Sequence, residues 1–189
     1  GTSFTATVTG LKAKTTYQYR VSIDGTAGEE KSFTTAEEIP LTNASFDNWS
    51  QNDKNNKLWQ PWGDGESSFW DTGNQGATTV GESNSTPVTD TSNGSGKAAS
   101  LESKYIVIKF AAGNIFTGTY KKTDGTNGVL DFGRPFTSFP SKLRVHYKYN
   151  CATIDKVGDD AMASLKGRPD SCQIYIALTD WDAPLEIRT

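Results

Sequence analysis

Four tryptophans, Trp49, Trp59, Trp62 and Trp70, fall within 22 residues of a stretch that holds little else apolar. A tryptophan in a polar loop either plugs the edge of a core or stands open as a flat platform. Plugging is the default, because indole is large and rarely fully buried. Four in so short a polar stretch exceed what one loop needs, so one or two are expected to be exposed. A pyranose ring carries an apolar face of C–H groups that stacks on indole, and its hydroxyl rim needs donors and acceptors beside that face. Asn48, Gln51, Asn52, Gln60, Asp64, Glu66, Asp71 and Asn74 interleave with the tryptophans and supply them. The pattern is that of carbohydrate recognition, though no strict spacing defines it.

A fifth tryptophan stands between two acids in Asp180-Trp181-Asp182, after an apolar alternating run. Hydrolysis of a glycosidic bond needs two carboxyl groups, about 5–5.5 Å apart for retention or about 6.5–9.5 Å for inversion. Asp180 or Asp182 with one of Asp64, Glu66 or Asp71 is the candidate pair. Against that stands the common case of solvated surface acids. Binding by Trp49, Trp59, Trp62, Trp70 and Trp181, with Asp64, Glu66, Asp71 and Asp180 as hydroxyl partners, is therefore the first expectation. A glycoside hydrolase, with its catalytic residues unassigned, is the second. A structural or adhesive spacer whose tryptophans only pack is the third.

The single histidine, His146, sits between Arg144 and Lys148. A histidine-based site needs partners, so a sheet-face histidine is the simpler reading. No Gly-x-Ser-x-Gly elbow, phosphate loop, Cys-x-x-Cys or His-Glu-x-x-His occurs, and nucleotide, zinc and haem are unsupported. No cofactor is expected. Asp47, Asp53, Asp64, Glu66 and Asp71 leave a structural calcium open, without the ordered spacing of an EF-hand. Cys151 and Cys172 lie at the facing ends of two strand-like runs. A disulfide between them would enclose 20 residues and remove unfolded-state entropy worth ~3 kcal/mol. The alternative is two free thiols; the bridge is favoured because adhesive β domains are usually extracytoplasmic.

These residues need a frame, and composition says which kind. In 189 residues hydrophobic types make up only 34%, yet aromatics reach 11%, which argues against global disorder. Gly, Ser, Thr, Asn and Asp abound, while β-branched and aromatic residues come in short runs between turn residues. That composition predicts an all-β fold rich in loops. A net charge of -3 with no basic stripe excludes nucleic acid as the expected partner. No apolar run is long enough to span a membrane as a helix. The leading Gly1-Thr2-Ser3 reads as a processing scar, so the chain is taken as an excised piece of a longer one.

Period-two alternation predicts strands at residues 4–9, 17–23 and 31–35, with Asp24-Gly25 as a turn. Glu37-Glu38-Ile39-Pro40 reads as a linker over residues 37–40. Residues 43–100 read as loops and short strands, with 81–97 a polar excursion. Further strands are predicted at 105–110, 115–120, 129–132, 143–149 and 172–179. Gly113-Asn114, Asp124-Gly125 and Asn127-Gly128 are the expected turns, and a short helix is expected within 153–167.

The string Ala6-Thr7-Val8-Thr9-Gly10-Leu11, then Thr15-Thr16-Tyr17-Gln18-Tyr19-Arg20-Val21 and Ser32-Phe33-Thr34-Thr35, resembles the last three strands of a fibronectin type III domain. Leu11, Thr15 and Tyr17 are similar to that family's tyrosine corner. The resemblance implies a partial fibronectin-like unit over residues 1–36.

Downstream, the runs Ala112-Gly113-Asn114-Ile115-Phe116-Thr117-Gly118-Thr119-Tyr120 and Asp131-Phe132-Gly133-Arg134-Pro135-Phe136-Thr137-Ser138-Phe139-Pro140 are distinctive. With Ala44-Ser45-Phe46-Asp47-Asn48-Trp49 before them, and Leu143 and Tyr147-Lys148-Tyr149 after, residues 41–189 resemble the "Putative carbohydrate metabolism domain" (PCMD) family of gut bacteria. The resemblance implies a jelly-roll β-sandwich like that of carbohydrate-binding modules. It also implies export, frequently as a lipoprotein to the periplasm or cell surface, and work in glycan use beside other surface glycan-utilisation proteins. Some members carry a glycoside hydrolase label, but no catalytic residues come with the resemblance. Read structurally, Gly113, Gly118 and Gly133 serve turns or close strand approach. Arg134-Pro135-Phe136 and Phe139-Pro140 mark strand ends.

Overall fold

Short runs of alternating residues broken by glycine and asparagine turns build small sheets, and the computed structural model has five among its described residues, all antiparallel. It describes residues 3–107, 109–138, 140 and 142–189. The chain divides into two units, Gly1–Ala44 with Pro135–Phe139, and Ser45–Arg134 with Pro140–Thr189.

In the first unit β1 (Thr16–Ile23) and β2 (Thr26–Thr34) form a hairpin around Asp24-Gly25, both with positive φ. Tyr17 stacks on Phe33 at 5.9 Å across the pair. The Tyr17 hydroxyl accepts the Lys12 N–H at 2.8 Å. Residues 4–9, expected as a strand, are irregular: no strand pairs with them among the described residues, and Phe4 and Val8 lie exposed.

In the second unit β3 (Ser50–Asn52) pairs with β4 (Asn55–Gln60). The two-residue β5 (Trp70–Asp71) leads into a single helical turn, α1 (Asn74–Ala77). β6 (Ser85–Val88) pairs with β7 (Ala98–Leu101), and β8 (Lys104–Ile106) with β9 (Lys109–Ala111). The strand expected over 105–110 is thus split by a tight turn at Val107, whose φ is +53°; Ile108 and Phe139 lie outside the described residues. β10 (Phe116–Asp124), β11 (Asn127–Phe132) and β12 (Leu185–Arg188) complete the largest sheet, in the order β12-β11-β10-β5. Asp124-Gly125 turns the β10–β11 hairpin as expected, whereas Asn127-Gly128 opens β11 and is no turn.

This sheet holds much of the buried apolar surface, from Tyr120, Val129 and Leu130. Register slips between Tyr120 and Lys122, a bulge that turns one backbone group out of the ladder. Gly118 takes φ +147° where β10 crosses β11; any Cβ there would strike the Asp131 carbonyl oxygen, so only glycine fits.

Residues 143–149 and 172–179 form no strands, a correction to the alternation-based expectation. Period two reports a face that wants cover, and among the described residues nothing covers it: Leu143, Tyr147, Tyr175 and Leu178 stay exposed. A short ladder nevertheless joins the ends of these segments, with a bridge at Thr153 and Pro169. The helix expected within 153–167 is a 3-10 helix, Asp160–Leu165, capped by the Asp159 carboxylate on Ala161 N–H.

Candidate functional site

The loop that opens the second unit carries Phe46, Asp47, Asn48 and Trp49. Trp49 is 7% exposed and donates its indole N–H to the Phe46 carbonyl at 2.7 Å. It is a plug and no platform; a sugar cannot reach its face, which corrects its place among the binding candidates. Polar neighbours in sequence do not prevent a ring from turning inward.

Phe46 also belongs to an aromatic cluster. Trp70 meets Phe46 edge-on at 5.0 Å and Phe69 at 5.5 Å. β5 fixes Trp70 by pairing it with Thr117 of β10, and its ring remains half-buried. Trp62 and Trp59 are half-buried too, Trp59 on β4. Trp59 is held through its backbone, accepting from the Asn74 side chain at 2.8 Å and donating to the Ser83 hydroxyl at 3.0 Å.

Trp62 begins a tight turn. Glu66 N–H donates to the Gly63 carbonyl at 3.0 Å, and the Glu66 carboxylate accepts Gly63 N–H at 2.8 Å. Gly65 supplies the left-handed residue the turn needs, at φ +76°. The other Glu66 oxygen accepts from the Asn48 amide at 2.8 Å, stapling the Trp62 turn to the Trp49 loop. Asp47 braces the same loop by accepting Lys97 N–H at 2.7 Å. A bond from the Ser45 hydroxyl, then the Lys97 N–H, holds its carboxyl below the usual range. The polar excursion 81–97 is thereby pinned at its end.

The four candidate hydroxyl partners separate. Glu66 is spent on the turn. Asp71 is mostly buried: one oxygen accepts Tyr120 N–H at 2.7 Å at the β10 bulge, the other Thr72 N–H at 2.8 Å. Burial pushes its carboxyl above the ordinary range, against the pull of those two N–H groups and of Arg134. Arg134 itself bonds the Phe69 carbonyl, the Gly118 carbonyl and the Thr119 hydroxyl. Asp71 and Arg134 therefore lock β5 to β10, and Asp71 is removed from the set of sugar contacts. Asp64 is exposed at the tip of the Trp62 turn, with its carboxylate unbonded among the described residues. Asp180, Trp181 and Asp182 are exposed, Trp181 by 53%. No hydrogen bond, ion pair or ring contact among the described residues ties them to the cluster. The Phe46–Trp49 loop is thus joined by ring contact to Trp70 and by the Asn48–Glu66 bond to the turn that carries Trp62 and Asp64.

Sequence reading missed the buried Ser83 and Ser85, and it placed Asn74 among the polar residues beside the tryptophans without its role inside. Asn74 is fully buried and accepts Asn84 N–H and Ser85 N–H, both at 2.9 Å. Its amide donates to the Trp59 and Ser85 carbonyls at 2.8 and 2.7 Å. Ser85 in turn donates to the Asn114 carbonyl at 2.7 Å. One side chain thus replaces a sheet between β4, α1 and β6. Phe46 and Phe69, passed over in the sequence, flank Trp70; the signal available was their spacing from Trp49 and Trp70.

No group of three His, Cys, Asp or Glu side chains that could hold a metal ion occurs among the described residues. His146 is exposed, and no helix of the described residues is long and apolar enough to cross a membrane. Hollows of ≈ 260 Å³, at Pro140, Lys142, Leu143, Ile176 and Leu178, and ≈ 430 Å³, at Tyr19, Val21, Gly28, Glu29 and Lys31, are lined by no tryptophan.

The family model described as "Putative carbohydrate metabolism domain" matches residues 45–187. The chain belongs to this family. The PCMD match begins at Ser45, in the loop of Phe46 and Trp49, and ends at Ile187 within β12, so it takes in both the aromatic cluster and the largest sheet. No curated protein and no solved structure matches the chain.

Proposed function

We propose that the PCMD region is a glycan-binding module working outside the cytoplasm in polysaccharide utilisation, its ligand a poly- or oligosaccharide. The observation that carries the reading is the half-open Trp70, propped edge-on by Phe46 and Phe69. Close by in the chain is the stapled Trp62 turn with its unbonded Asp64. Stacking on Trp70 and Trp62 supplies the affinity, and the Asp64 carboxylate takes hydroxyl protons. The Glu66–Asn48 bond keeps the turn in place before ligand arrives, which lowers the ordering cost of binding. Trp59 extends the aromatic surface, and the exposed Trp181 with Asp180 forms a separate contact.

In this reading the body is a jelly roll preceded by the end of a fibronectin-like unit, carried on an exported protein and acting beside other surface glycan-binding proteins. Hydrolysis is less favoured, because Glu66 and Asp71 each already hold two backbone or side-chain donors and neither is free to pass a proton. The test is a glycan array followed by titration of intrinsic fluorescence on wild type, Trp70→Ala, Trp62→Ala and Asp64→Ala. Loss of one stacking ring is expected to weaken binding by about 5- to 150-fold, of the order of 1–3 kcal/mol. No glycan-dependent signal from wild type, or equal affinity in all three variants, refutes the site.

A further inference from the structure

A short backbone pairing lies between the two cysteines in the chain. Ala152, Thr153 and Ile154 run antiparallel to residues 168–170. Asp170 N–H donates to the Ala152 carbonyl at 2.8 Å, and Ile154 N–H to the Arg168 carbonyl at 2.9 Å. With Thr153 opposite Pro169, the register carries residue 151 to face residue 171, with Cys172 next along. The ladder bonds stop at Ala152 and Asp170, so Cys172 is not held to the alternate face of a strand. Cys151 already leans across the pair, its thiol donating to the Asp170 carbonyl at 3.2 Å. Both sulfurs are free thiols here and both are exposed.

We infer that Cys151 and Cys172 are a disulfide pair that closes the 20-residue loop between them. The register, which leaves Cys172 one residue past the position opposite Cys151, and the solvent access of both thiols make the reaction open to a thiol–disulfide oxidoreductase or a small disulfide such as oxidised glutathione. The thiolate of one cysteine attacks a sulfur of that disulfide, forms a mixed disulfide and releases one thiol. The second thiolate then attacks the protein sulfur of the mixed disulfide and releases the other. The two protein thiols are oxidised to one S–S bond, the reagent is reduced to two thiols, and their protons pass to the released thiolates. The bridge clamps the base of the segments 143–149 and 172–178, whose apolar side chains otherwise lie exposed, and it suits an oxidising compartment.

The intact chain is incubated with oxidised glutathione, denatured without reductant, alkylated and weighed. The expected result is monomer with no alkylated thiol and the mass of two hydrogens lost. Cys151→Ser and Cys172→Ser should each retain one thiol or one glutathione adduct. Two alkylated thiols in the wild type, stable adducts on both cysteines, or disulfide-linked dimers as the main product would each overturn the pairing.

Discussion

Asn74 offers the sharpest test of how the second unit is held. Its side chain bonds two N–H groups and two carbonyls, all at 2.7–2.9 Å, and is fully buried. Asn74→Ala strands the N–H groups of Asn84 and Ser85 and the carbonyls of Trp59 and Ser85. A buried unsatisfied group costs about 1–3 kcal/mol. Four would sum beyond reason, but a void the size of an amide admits water and the turn relaxes, so the net loss is about 3–5 kcal/mol. That is a large share of a total stability of about 5–15 kcal/mol. Asn74→Asp adds a pH signature. Its second oxygen faces two carbonyl oxygens in a fully buried site, so the folded carboxyl keeps its proton above the unfolded value of about 3.9. The native state then binds more protons than the unfolded chain, and stability falls as pH rises through the raised folded value. Urea melts followed by tryptophan fluorescence read both effects. A loss under about 1 kcal/mol for Asn74→Ala, or an Asn74→Asp stability flat from about pH 4 to 7, refutes the reasoning.

Asp71 obeys the same sign rule in the native protein. Its carboxyl is raised by burial, so it favours folding most below its unfolded value and less as pH climbs past the folded one. Asp71→Asn should remove that decline from a series of urea midpoints, and an unchanged slope would sink the assignment. Gly118→Ala forces a Cβ against the Asp131 carbonyl at φ +147°. A loss of ~3 kcal/mol is expected, or roughly 6–12 °C in melting temperature; a wild-type melt would show that the strands separate freely there.

Much of the sheet structure was legible because the residues that alternate also have partners. β1, β2, β10 and β11 follow the pattern, and Asp24-Gly25 and Asp124-Gly125 turn as their chemistry requires. The same alternation at 143–149 produced no strand. Periodicity names a face but cannot supply what covers it. Among the tryptophans, residue type gave the neighbourhood and could not give the facing: Trp49 lies beneath and Trp70 half-open, though both sit among polar residues. Asp71 and Glu66 read as free acids in sequence, yet both satisfy backbone N–H groups. Carboxylates in turn-rich chains are drawn to such orphan donors, and sequence shows the acid without the donor.

That diversion of polar side chains explains why a chain with so few buried apolar residues can present an ordered aromatic surface. Asn74, Ser83 and Ser85 replace sheet hydrogen bonds where strands are too short to pair, while Asp47, Glu66 and Asp71 staple loops that would otherwise drift. Each such bond fixes backbone directly, so rigidity reaches loops that no hydrophobic packing supports. A stacking platform gains from this arrangement, because an indole already held in place loses little freedom when a flat ligand lies on it. Glu66→Gln separates this account from simple charge loss. The amide oxygen retains one acceptor, so Gly63 or Asn48 is released but not both. Glycan affinity should then fall while the fluorescence of the buried Trp49 stays unchanged. A blue or red shift of the buried tryptophan with affinity intact would mean that Glu66 serves the core and not the turn.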